Sequence, residues 1–118
     1  MLTFNLKKEW FEKIKSGEKT HEYRVMSDYW ISRIMPELNF NFKKMRFELP
    51  LYRFTDRGLK TGDTIVFANG YPSKNNKERK LMALVTNIKY NVDGRDTDLK
   101  VKKLVFDIEF ELIEDNNE

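Results

Sequence analysis

The chain has 118 residues, room for a single domain (1–118) whose core hides about 65% of the unfolded surface, so it needs no disulfide staples. It has no cysteine, which excludes thiolate metal sites and suits a reducing, cytoplasmic setting. Its net charge of +3 is uneven: residues 1–60 carry 13 Lys and Arg against 8 Asp and Glu, and residues 61–118 carry 9 against 11.

A basic half is the footprint of a domain that meets polyanions, and it is also what an ordinary solvated surface looks like. No stretch approaches 18 consecutive apolar residues, so no membrane span is expected. Met1 to Leu6 lacks a charged run followed by a long apolar core, so no signal peptide is expected either.

Leu2-Thr3-Phe4-Asn5-Leu6 alternates apolar and polar residues, which predicts a first strand with Leu2, Phe4 and Leu6 facing inward. Lys7 to Ser16 reads as a helix. Trp10, Phe11 and Ile14 form its apolar stripe, Glu9 and Glu12 come early, and Lys13 and Lys15 come late, the order the helix dipole favours. Gly17 stands where a left-handed C-cap is usual. Lys19 to Val25 then reads as a strand with Thr20, Glu22 and Arg24 on one face and Lys19, His21 and Tyr23 on the other.

Ser27-Asp28 has the chemistry of an N-cap, and Trp30, Ile31 and Ile34 follow at helical spacing up to Pro36, so a second helix is expected over Asp28 to Met35. Asn39 to Leu59 reads as one or two short strands or an extended loop, and Pro50 excludes a central strand position. Thr61-Gly62-Asp63 is a turn ahead of the strand Thr64 to Ala68, and Tyr71 to Arg79 is a polar hairpin loop. Lys80 to Tyr90 and Leu104 to Ile113 are strands, the last with Leu104, Phe106, Ile108, Phe110 and Leu112 on one face. Asp93, Asp96 and Asp98 lie in a loop that does not match a calcium-binding pattern, so it is taken as solvated, and neither a metal nor a cofactor is expected. The fold class is therefore α+β: a small β-barrel of five to six mostly antiparallel strands with two or more short helices, closure being the way to remove exposed edges.

Gly17-x-Lys19-x-x-Glu22-x-Arg24 resembles the GxKxxExR signature of ASCH domains, relatives of the PUA domain. The resemblance extends to Phe11 and Ile14 on the preceding helix, to Gly62-Asp63 before an apolar strand, and to the final strand. Residues 25–60 read as a lineage-specific insertion. The resemblance implies a PUA-like barrel with a cleft beside the motif, and RNA or a modified nucleotide as partner. A few such proteins act as ribonucleases or as amidohydrolases on acetylated cytidine. In the amidohydrolases the motif lysine, a threonine three places on and a later glutamate form the catalytic set; here Lys19 is kept and Glu22 stands at the threonine position.

Residue chemistry leaves several roles open. Lys19 can hold a phosphate as a point charge or serve as base or nucleophile. Glu22 can accept from a base amino group or move a proton, and Arg24 can grip a phosphate with two parallel bonds. Glu22 and Arg24 can also simply pair and brace the cleft. Thr20 shares the strand face of Glu22 and Arg24, and His21 reads as a packing or surface residue.

Downstream, Tyr29, Trp30, Phe40, Phe42, Phe47, Tyr52 and Phe54 are interleaved with Arg33, Lys43, Lys44, Arg46, Arg53, Arg57 and Lys60. Rings for stacking and cations for the backbone are the means by which single strands are held. The same pattern is also met when aromatics form a core under a solvated surface. Lys74, Lys77, Arg79 and Lys80 on the polar hairpin are a weaker addition to the basic set. The candidate ligand residues are thus Lys19, Thr20, Glu22, Arg24, Tyr29, Arg33, Lys43, Lys44 and Arg46, with Lys19 and Glu22 the catalytic candidates should the chain be a hydrolase. A third reading is a protein-interaction module that uses the aromatic insertion.

Overall fold

The computed structural model describes residues 1–52, 56–71 and 77–113. Arg53, Phe54 and Lys74 of the aromatic and basic sets, and residues 114–118, lie outside the described residues.

The class is α+β. In chain order the elements are β1 (Leu2–Leu6), α1 (Lys8–Lys15), β2 (His21–Val25), α2 (Asp28–Ile34), β3 (Asn39–Asn41), β4 (Arg46–Glu48), β5 (Thr64–Asn69), β6 (Lys80–Asp93) and β7 (Leu104–Leu112). Five strands form one mixed sheet in the order β1-β5-β6-β7-β2, curled in the manner of a small barrel-like fold, and β3 and β4 make a separate two-stranded sheet. Among the described residues no helix is long and apolar enough to cross a membrane.

Two compact units arise from interleaved segments of chain. The first takes Met1–Glu22, Lys60–Ile88 and the segment from Ile108 onward. Its centre is aromatic: Phe4 and Phe67, directly opposed in the register, have ring centroids 5.9 Å apart, and Phe67 and Phe110 are 4.6 Å apart. Ile65, Ala83, Val85 and Ile108 complete this core with Phe11 and Ile14 of α1, which lies against β5. Burial alternates along β6, with Ala83 and Val85 buried and Met82 and Leu84 exposed. Pairing direction is less uniform than expected. β5 and β6 are antiparallel, but β1 runs parallel to β5. A parallel partner requires a long crossover, and here α1 and everything up to Lys60 intervene between the two strands.

The second unit takes Tyr23–Leu59 and Lys89–Asp107. Its core is Met26, Ile34, Met35, Leu38, Leu59, Val105 and Phe106. Ser27 caps α2 as anticipated, its side chain accepting from the Trp30 N–H at 3.4 Å. Within the expected Trp30-Ile31-Ile34 stripe only Ile34 is fully buried. The segment 39–48 is a tight antiparallel hairpin, with Phe40 opposite Phe47. Asn91, held at φ 58°, donates from Nδ2 to the Phe47 carbonyl at 2.8 Å and fastens the base of that hairpin.

Candidate functional site

The helix stop at Gly17 shapes the start of the site. Gly17 adopts φ 84°, a left-handed conformation that costs a side-chain-bearing residue free energy and costs glycine little. Its N–H donates to the Ile14 carbonyl, and the Lys19 N–H reaches back to the Lys13 carbonyl at 3.0 Å. That return bond removes Lys19 and Thr20 from the strand, which begins at His21 rather than at Lys19 as the alternation suggested. Thr20 keeps an exposed side chain while its carbonyl accepts from the Phe110 N–H at 3.1 Å, so the turn is stitched to β7.

Lys19 and Glu22 come together and turn inward. Lys19 Nζ lies 3.5 Å from Glu22 Oε1, and the two side chains are only 8% and 6% exposed. Trp10 roofs the pair: Lys19 Nζ stands 5.3 Å from the centre of its ring, and Lys13 Nζ stands 5.0 Å from the same ring. An ammonium taken out of water needs a carboxylate and a π face to offset the lost hydration, and this pocket supplies both. His21, on the other face of the strand, sits 3.9 Å from Glu109 and is half-exposed.

Arg24 belongs to the second unit and meets a different partner. Its guanidinium carbon lies 4.9 Å from the centre of the Trp30 ring. Trp30 meets Tyr29 edge to face, with centroids 4.9 Å apart at 82°. Arg33 then covers Tyr29, its guanidinium carbon 3.4 Å from the ring centre. The result is a ladder of Arg24, Trp30, Tyr29 and Arg33. Arg33 is tethered there: Nη1 donates to the Tyr29 carbonyl at 2.9 Å and to Ser32 Oγ at 3.3 Å, and the residue remains exposed. Tyr29 itself remains 55% exposed. Residues four apart on a helix face each other, so the Tyr29–Arg33 contact was open to inspection in the sequence. The part played by Trp10 was not, since the helical stripe assigned it to the core.

The remaining basic candidates sit on the β3–β4 hairpin. Lys44 Nζ lies 3.1 Å and Arg46 Nε 3.7 Å from Glu48 Oε1, and Asn41 Nδ2 donates to Glu48 Oε2 at 3.0 Å. The Asn41 hydrogen bond, then the Lys44 one, hold the Glu48 carboxyl below the usual carboxylate range. Lys43 is exposed at the turn. The hairpin aromatics form a cluster of their own, with Phe40 edge-on to both Phe42 and Phe47 at 4.9 and 5.0 Å. Phe40 and Phe47 are half-buried and Phe42 is exposed, so the insertion aromatics are only partly core.

Among the described residues no group of three or more His, Cys, Asp or Glu gathers as a metal site would require. No family model, no curated protein and no solved structure matches the chain.

Proposed function

We propose that this chain is an RNA- or nucleotide-binding domain of the ASCH kind, and that its second unit carries the ligand. The ladder of Arg24, Trp30, Tyr29 and Arg33 is the observation that carries the reading. Nucleic acids offer two things to a protein surface, flat π faces and phosphate oxygens. A guanidinium stacked on a ring meets both, because its plane continues the stack and its free edge donates to phosphate. Arg33 is held in that posture before any ligand arrives, so little side-chain freedom is lost on binding. Support also comes from the basic first half of the chain and from the cationic hairpin in the same unit.

In this reading Lys19 and Glu22 do not touch the ligand. They brace the turn that launches β2. The GxKxxExR signature then combines a buried ion pair with an arginine that stacks on Trp30.

The test is binding of a fluorescent RNA oligonucleotide followed by anisotropy at low salt. Arg33→Ala removes both the stacked plane and its donors, and it is expected to weaken binding by about tenfold or more. Tyr29→Ala, which removes the support beneath Arg33, is expected to act in the same direction. Wild-type protein that binds neither RNA nor nucleotides would end the reading.

A further inference from the structure

The tip of the β3–β4 hairpin is built to be rigid and yet exposes apolar groups. Asn41 Oδ1 accepts from the Lys44 N–H at 3.1 Å, closing the turn, while its Nδ2 donates to Glu48. Glu48 also gathers Lys44 and Arg46, and Asn91 holds the far strand at the Phe47 carbonyl. On this frame Phe42 is 79% exposed and Met45 is 68% exposed. Phe42 rests edge-on against Phe40 on one side, yet it and Met45 stay largely exposed, which costs solubility and adds little to the core.

The charge around the pair narrows what it meets. Lys43, Lys44 and Arg46 surround it, and Glu48 offsets only one of the three. Lys44 and Arg46 still keep side chains 60% and 58% exposed despite that contact. An exposed ring within a cationic collar complements an anionic polymer that also has flat apolar faces. In a duplex those faces are hidden in the stack, whereas in a single strand they are available.

We infer that the hairpin is a stacking finger for single-stranded nucleic acid. Phe42 takes the face of an unpaired base, Met45 closes on the base from beside it, and Lys43 and Arg46 meet the flanking phosphates. This rests on the nucleic-acid reading above and adds to it the class of ligand: an unpaired segment of several nucleotides, in preference to a duplex or a mononucleotide.

The decisive variant is the double substitution Phe42→Ser with Met45→Ser in the full chain. Both side chains are exposed, so the fold is expected to stand, as circular dichroism would verify. Affinity for a single-stranded RNA of about ten nucleotides should fall by about tenfold (about 1.4 kcal/mol), and affinity for adenosine monophosphate should be unchanged. Wild-type protein should bind the single strand more tightly than a duplex of the same sequence. If the double variant keeps wild-type single-strand affinity while Arg33→Ala loses it, the finger is wrong and the ladder reading stands. A preference for duplex also overturns the finger. Wild-type protein that binds phosphatidylserine vesicles and no RNA overturns both readings.

Discussion

At the residue scale, the most consequential contact is the one between Lys19 and Glu22. Both side chains are almost wholly out of water and they face each other at 3.5 Å under Trp10. Removing one member of such a pair leaves the other buried with part of its compensation gone, whereas removing both restores an apolar interior. Lys19→Met alone is therefore expected to destabilise the protein by about 3 kcal/mol. Lys19→Met combined with Glu22→Leu should unfold at a urea concentration closer to wild type than either single variant does. A single variant as stable as wild type would show that the pair contributes no more than a surface ion pair. The four residue types of the motif were plain in the sequence. The inward turn of Lys19 and Glu22 was not, because burial of a lysine depends on Trp10 arriving from the helix side and on the turn at Gly17 bending Lys19 back toward it.

At the scale of elements, the turn after β6 shows how local chemistry fixes a loop. Gly94 lies against the Val101 and Lys103 carbonyls, where an added Cβ would stand 2.6 and 2.7 Å from those oxygens, so only glycine fits. Asp93 caps the short turn that follows by accepting from the Arg95 N–H, and it also holds the Arg95 side chain, with a closest contact of 2.6 Å. The Arg95 side-chain hydrogen bonds, with the backbone bond second, pull the Asp93 carboxyl from 3.8 down to about 2. A depressed carboxyl stabilises the folded state above its unfolded value, and that contribution fades as pH falls through the folded value. Wild type should thus exceed Asp93→Asn in thermal midpoint above about pH 4, and the difference should close between pH 4 and pH 2. A gap independent of pH would rule out the ionised carboxylate as its source. The sequence places the three aspartates in a solvated loop, and within that loop the structure gives Asp93 a capping role. Strand identities fared better. Alternation in 80–90 and 104–113 located β6 and β7, because one buried face imposes a period of two whatever the neighbours are.

At the scale of the whole molecule, charge governs how a polyanion would be held. The exposed cations assigned to phosphate on the ladder and hairpin, Arg33, Lys43 and Arg46, offer three phosphate contacts. For a single strand this predicts a slope of about −2 in log affinity against log salt concentration. A salt titration of RNA binding reads that slope directly, and a value near zero would show that phosphates are not what the protein holds.

The sequence by itself determined the α+β class, the helix stop at Gly17, the N-cap at Ser27 and the faces of the long strands, all of which follow from interactions between residues close along the chain. Only the tertiary structure decided that β1 lies parallel to β5, that Lys19 and Glu22 are buried as a pair, and that Arg24 ends on Trp30. Those outcomes depend on which distant segments meet. Local periodicity says which face of an element is apolar, and it is silent on what that face, or the polar one opposite, will find there.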